Sequence, residues 1–229
     1  MNYFLINLSL LKLNYKMFLE NPTYNGEQFG WIEVICGSMF SGKTEELIRR
    51  IKRAQIANQK FKVFKPVIDS RSKDFIESHD ETKLKSTEVK SSVDILSHYE
   101  NCDLIAIDEA QFFDEKIIEV CNLLANKGIR VIVAGLDMDY MGNPFGPMPG
   151  LMAIAEYVTK VHAICKRTGN LANYSYRKNQ IKDIVVIGEK DKYEPLSRAV
   201  FYKKMREKKK KKNESSCYRR NWSCWRGNH

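Results

Sequence analysis

Residues 31–44 read Trp-Ile-Glu-Val-Ile-Cys-Gly-Ser-Met-Phe-Ser-Gly-Lys-Thr, and the fold turns on this stretch. Trp31–Cys36 is short, β-branched and aromatic and ends at a glycine, which predicts a buried strand. Gly37, Ser38, Met39, Phe40, Ser41, Gly42, Lys43 and Thr44 complete the pattern G-x-x-x-x-G-K-[ST]. From Thr44 to about Gln59, Leu47, Ile48, Ile51 and Ala54 recur at helical spacing with basic residues between them. Strand, glycine-rich turn and helix in that order are the context in which the pattern cradles phosphate. Successive backbone N–H groups turn inward, and the helix N-terminus adds partial positive charge. Lys43 is then a contact for β and γ phosphates, and Thr44 a hydroxyl for Mg²⁺. Such a loop indicates a nucleoside triphosphate and does not separate ATPase, GTPase and kinase. No guanine-reading N-K-x-D occurs, which disfavours a GTPase.

Working outward, the run from Lys62 to Ile68 reads as a second strand stopped by Pro66, and Leu104–Ile107 as a third. Phe113–Asn126 predicts a helix closed by Gly128, and Val131–Ala134 a further strand. Met141–Pro149 is dense in Gly and Pro and must be a loop, with a helix over Leu151–Val158. Strands alternating with helices predict an α/β fold, a parallel sheet with flanking helices. After Cys165 the character changes. Short β-like runs at Asn173–Arg177 and Ile184–Ile187 predict a small second lobe. The expected organisation is an extension at 1–27, a nucleotide-binding core at 28–160, a small lobe at 161–205 and a basic disordered tail at 206–229.

The 229 residues are 43% hydrophobic and 29% charged, which excludes wholesale disorder and a disulfide miniprotein. The net charge of +10 resembles a nucleic-acid signal until it is located. Of 38 Lys and Arg and 28 Asp and Glu, 11 and 2 fall at 203–229, leaving 27 and 26 in the body. The body is nearly neutral, so the high pI is no argument for a nucleic-acid partner. Six scattered cysteines suit a reducing cytoplasm. Residues 1–13 are interrupted by Asn7 and Lys12, so neither a membrane span nor a signal peptide is expected, and Met17 reads as a second start.

Asp108 and Glu109 end the third strand 65 residues after Lys43, in the manner of a Walker B strand. Asp108 would hold Mg²⁺, leaving Glu109 to polarise water in an ATPase or a substrate hydroxyl in a kinase.

Gly37–Thr44 as GSMFSGKT, Asp108–Phe113 as DEAQFF, Gly135–Asp137 as GLD, Asn143–Gly146 as NPFG and Val186–Pro195 as VIGEKDKYEP resemble the bacterial and cytosolic type of thymidine kinase over residues 28–205. The resemblance implies ATP-dependent phosphorylation of the thymidine 5′-hydroxyl. It implies a P-loop NTPase core of RecA-like type plus a small C-terminal lobe with a lasso-like loop over the nucleoside. By position, Glu109 matches the catalytic base. Lys43, Thr44 and Asp108 match the phosphate and Mg²⁺ ligands, with Ala110 and Gln111 completing the ATP-site run. Asp69 and Arg71 match an acid and an arginine near the phosphates. Phe112 and Phe145 match aromatics flanking the thymine ring, with Met39 and Leu136 nearby. Phe112 is preferred over Phe113 by family position. Ser175 and Tyr193 fall at lasso and sugar contacts, and Val186, Ile187 and Gly188 lie in the lasso that reads the base. The family also implies a homotetramer and feedback by dTTP.

The pattern breaks at the zinc that many members hold through two C-x-x-C pairs. Cys165 is followed by Thr168 in place of the second ligand, and the other pair falls on Ser197 and Val200. One thiol cannot hold a structural zinc, so none is expected, and Val200, Phe201 and Tyr202 are candidates to close the lobe instead. His162 beside Cys165 reads as packing, and Cys217, Cys224 and His229 match no zinc spacing. The alternative to a kinase is a nucleic-acid-stimulated P-loop ATPase using the lysine run at 208–212. Against it stand the neutral body and aromatics placed for a nucleoside. A third reading makes the tail an interaction arm on an enzymatic body.

Overall fold

The computed structural model describes residues 23–24, 27–68, 75–77, 83–178, 192–208 and 210. Six strands form one sheet: β1 (Trp31–Cys36), β2 (Phe61–Pro66), β3 (Thr87–Val89), β4 (Leu104–Ile107), β5 (Arg130–Gly135) and β6 (Tyr157–Lys160). All pairings are parallel, in the order β6-β1-β5-β4-β2-β3. Every residue of β1, β4 and β5 is buried, as a sheet covered on both faces requires.

Alternation along the strands sorts side chains into two layers. Ile35, Val63, Ala106, Ile132 and Ala134 meet Leu47, Ile48, Ile51 and Ala54 of helix α1 (Lys43–Ile56). Ile32, Val34, Phe64, Ile105, Val131 and Val133 face helices α2 (Ile117–Asn126) and α3 (Met148–Ile154). Each fully buried Leu or Ile contributes about 1.5–3 kcal/mol, so the apolar stripe of α1, more than its propensity, holds it to the sheet. The α1 side also carries Glu33, whose carboxylate accepts from Arg130 at 2.6 Å, Arg50 at 2.7 Å and Trp31 at 2.7 Å.

Two helices differ from the sequence expectation. A 3₁₀ turn, Ala110–Phe112, precedes α2, and Phe113 is extended, so the helix starts at Ile117 rather than Phe113. The Asp114 carboxylate accepts from the Ser92 and Lys116 N–H groups at 3.1 and 3.0 Å, fixing that break. The helix expected over Leu151–Val158 begins earlier, at Met148, and Ala155 turns extended. Prolines are tolerated in a first helical turn, whereas Tyr157-Val158-Thr159 has strand propensity and pairs with β1 as the sheet edge. Glu156 accepts the Ile32 N–H at 2.6 Å beside this edge.

Beyond Lys160 the chain forms two small antiparallel pairs. They are β7 (Ala163–Ile164) with β8 (Leu171–Ala172), and β9 (Tyr174–Arg177) with β10 (Tyr193–Leu196). A helix over residues 198–208 follows, so residues 206–208, assigned to the tail by composition, are helical. Ala163, Cys165, Ala172, Tyr174, Leu196 and Phe201 form a separate apolar cluster. The expected strand Ile184–Ile187 lies outside the described residues. The carboxyl ends of β1, β4 and β5 lie side by side, where ligands of open parallel sheets bind.

Candidate active site

The phosphate loop leaves β1 and enters α1 without a spacer. Gly37 takes φ 148°, and a Cβ there would lie 2.1 Å from the Val161 carbonyl oxygen, so only glycine fits. Gly42, at φ 82°, delivers the chain to the helix N-terminus. Lys43 Nζ donates to the Ser38 carbonyl at 2.8 Å, arching over the loop. Phe40 is held at φ 64°, sparsely populated for a residue with a side chain.

Asp108 follows β4, is buried, and places Oδ2 3.4 Å from Thr44 Oγ1. Its Oδ1 accepts the Glu109 N–H at 2.9 Å. Glu109 is in the left-handed region, φ 52° and ψ 40°. Such strain in a non-glycine residue clusters at functional sites. Gln111 is buried and bridges the site. Its Nε2 donates to Glu109 Oε2, and its Oε1 accepts the Leu136 N–H at 2.8 Å. A Cβ on Gly146 would come within 2.5 Å of the Gln111 carbonyl oxygen, so the loop after β5 packs tightly on this turn.

Phe112 and Phe145 meet edge to face with centroids 5.7 Å apart, both half-buried, while Phe113 is in the core. The sequence-preferred Phe112 is thus the outward member of its pair. The Leu136 N–H is tied to Gln111, the residue before Phe112. Ser175 is buried in β9 and accepts the Met39 N–H at 2.9 Å, which places it against the phosphate loop. Tyr193 is buried opposite Arg177 in the β9–β10 register. Asp69, Arg71, Val186, Ile187 and Gly188 lie outside the described residues. Lys43, Thr44, Asp108, Glu109 and Gln111 are brought together; the two aromatics lie with Leu136 on the adjoining loops.

Several contacts around the site carry no mark in the sequence. Ser38 Oγ donates to the Ala172 carbonyl at 2.8 Å. Buried Asp137 pairs with Lys160 at 2.7 Å. The Arg177 guanidinium stacks 3.4 Å from the Tyr140 ring centroid. Nothing in local pattern marks these long-range contacts.

Around Cys165 the donor set does not fit zinc. Thr168 and Ser197 supply neutral hydroxyls 3.3 Å apart, and Val200 supplies no donor. Burial pushes the Cys165 thiol up, but hydrogen bonds from Thr168, Ser197 and Arg167 outweigh it and bring the thiol down to about 6. The hydroxyl of Thr44 and carboxylate of Asp108, by contrast, are hard oxygen donors suited to Mg²⁺ beside a triphosphate.

A family model described as thymidine kinase matches residues 30–201. The chain is 52% identical over 196 residues to a thymidine kinase of Bacteroides fragilis, covering 85% of this chain and 98% of that protein. It is 54% identical to one from Bacteroides thetaiotaomicron over 186 residues, 81% of this chain and 94% of the relative. It is 57% identical to one from Rhodothermus sp. over 178 residues, 77% and 84% respectively. With a phosphate loop, a paired acid and an aromatic loop converging at the carboxyl end of a parallel sheet, the chain belongs to the thymidine kinase family, whose reaction is the phosphorylation of thymidine.

Proposed function

We propose a division of labour in which this chain transfers the γ-phosphoryl group of ATP to the thymidine 5′-hydroxyl. The carrying observation is Glu109. It stands in a strained turn one residue beyond the acid facing Thr44, with its carboxyl oriented by Gln111. Glu109 accepts the hydroxyl proton as the new P–O bond forms. Lys43, the loop amides and the N-terminus of α1 bind phosphate oxygens and offset the charge spread over the transferring group. Thr44 and Asp108 hold the Mg²⁺ that accompanies ATP, and that ion supplies charge neutralisation and alignment of the phosphates. Phe112 and Phe145 flank the thymine, with Leu136 and Met39 closing the sides. Asp69 and Arg71 are assigned to the phosphates by their family positions alone. Val186, Ile187, Gly188 and Tyr193 belong to the lasso side of the nucleoside pocket.

Family membership replaces the alternative of a nucleic-acid-stimulated ATPase. The assembly we envisage is a cytoplasmic homotetramer, inhibited by dTTP because that product analogue joins the acceptor to a triphosphate. Four free cysteines among the described residues agree with a reducing compartment. The small lobe closes without zinc, since three of four ligand positions lack a thiol. The test is monophosphate formation from thymidine, deoxycytidine, deoxyadenosine or water with Mg-ATP. Thymidine should be preferred, and Glu109→Gln should lose about 10²–10⁴-fold in kcat. ATP hydrolysis indifferent to nucleoside would overturn the reading.

A further inference from the structure

The small lobe touches both halves of the site. On the donor side, Ser38 Oγ donates to the Ala172 carbonyl at 2.8 Å and the Met39 N–H donates to Ser175 Oγ at 2.9 Å. Ser38, Ala172 and Ser175 are all buried, so these bonds are sheltered from competing water. The ring of the next residue, Phe40, packs on the lobe cluster of Ala163, Cys165, Ala172, Tyr174, Leu196 and Phe201. Three consecutive residues of the phosphate loop are thereby anchored in the lobe, and the left-handed backbone of Phe40 is held by this packing.

On the acceptor side, the loop between β5 and α3 enters the same cluster. Met138 packs on it. A Cβ at Gly142 would stand 3.2 Å from the Phe201 ring and 3.3 Å from that of Tyr174, so the loop backbone lies directly on the lobe aromatics. Tyr140 is stacked under Arg177, which is fully buried at the end of β9. Phe145 is five residues further along this loop.

We infer that the lobe is the coupling element between the two subsites, with Ser38 and Ser175 as its positioning residues: ordering of the phosphate loop by the donor nucleotide orders the acceptor loop through one shared core, so the two ligands bind with positive coupling. The inference rests on the proposed placement of thymidine between Phe112 and Phe145. Packed cores have discrete arrangements rather than continuous give, which is what lets a shift at one edge reach the other. Linkage makes the effect reciprocal, so a factor by which Mg-ADP tightens thymidine must equal the factor by which thymidine tightens Mg-ADP.

The test is calorimetric titration of the full chain with thymidine, in the presence and absence of saturating Mg-ADP, and the reverse titration. Wild type should show a coupling factor of at least about 5, the lower end of ordinary allosteric coupling. The double variant Ser38→Ala/Ser175→Ala should bring the factor close to 1, whatever happens to the separate affinities. Ser175→Thr, which keeps the hydroxyl, should retain it. A merely structural role would weaken both ligands and leave their ratio intact. Should the double variant fail to fold, Tyr140→Leu breaks the acceptor end and should abolish coupling, with Tyr140→Phe retaining it. Independent binding in wild type, or coupling retained in the double variant or in Tyr140→Leu, overturns the inference. A wild type that phosphorylates thymidine yet binds the two ligands independently defeats the coupling alone. One that neither binds nor phosphorylates thymidine defeats the functional reading beneath it, and the coupling with it.

Discussion

Gln111 and Glu109 face each other across one 3₁₀ turn, the Gln111 amide donating to the Glu109 carboxylate while its own oxygen takes the Leu136 N–H at 2.8 Å. The proposed base and the loop after β5 are thus oriented by one buried side chain. Gln111→Ala removes both bonds without touching a phosphate ligand. We expect kcat to fall roughly 10- to 100-fold, the range for residues that support reactive groups, with the KM for ATP little changed. Gln111→Glu keeps the acceptor for Leu136 but sets two carboxylates together, and should shift the acid limb of the kcat profile to higher pH. Steady-state kinetics across pH check both.

Glu109 stores backbone strain. A non-glycine residue in the left-handed region costs about 1–3 kcal/mol. Glu109→Gly relieves it and should raise the melting temperature, by about 2–4 °C per kcal/mol for a chain of this length, while activity collapses. Calorimetry decides, since a lowered midpoint would mean the Glu109 contacts outweigh the strain.

Glu33 is the charged centre under α1. Burial would raise its carboxyl, but Arg130, Trp31 and Arg50 together hold it below the ordinary carboxylate value. Glu33→Ala strands Arg130, itself buried, and a broken buried pair costs about 3–5 kcal/mol. Because Arg50 ties the same carboxylate to the helix that opens on the phosphate loop, the KM for ATP should rise as well. Chemical denaturation and ATP kinetics on Glu33→Gln and Glu33→Ala measure the two effects separately.

Acid should loosen the lobe. Hydrogen bonds from Arg167, then from Lys204, outweigh burial and hold Glu194 to about 2. Its folded value is below the unfolded one, so the stabilisation is complete above the ordinary carboxylate range and is lost as pH falls toward about 2. Between pH 5 and 3 the melting temperature of wild type should drop more steeply than that of Glu194→Gln. Parallel curves would count against a role for this carboxylate in holding β10 to its neighbours.

The core was legible because local pattern and global role coincide there. Trp31–Thr44 is a strand, turn and helix in any context, and LIAI followed by Asp108-Glu109 is buried on both faces. The first half of the edge strand β6, Tyr157 and Val158, falls inside the helix expected over Leu151–Val158, and pairing with β1 is what makes it strand. Only family position separates Phe112 from Phe113 in the sequence, and the bridge made by Gln111 is not legible there at all, since Leu136 is 25 residues away. The Ser38–Ala172 bond spans 134 residues and leaves no mark in either local sequence.

The lobe should fold without a metal ion. Four thiolates would hold a zinc with energy enough to fold a small module, and here Cys165 stands with two hydroxyls and Val200. Other forces close the lobe. Tyr174 stacks on Phe201 with centroids 4.4 Å apart, and Phe201 is fully buried. Such aromatic pairs add about 0.5–1.5 kcal/mol beyond their burial. Elemental analysis should find far less than one zinc per chain, and EDTA should leave the melting temperature unmoved. Phe201→Ala should cost about 3–5 kcal/mol, the range for a large buried aromatic. Thr168→Cys/Ser197→Cys/Val200→Cys restores four thiols at the family spacing. That variant should take up one zinc and lose stability on chelation, whereas near-stoichiometric zinc in the native chain would show that Cys165 has found ligands the lobe sequence does not offer.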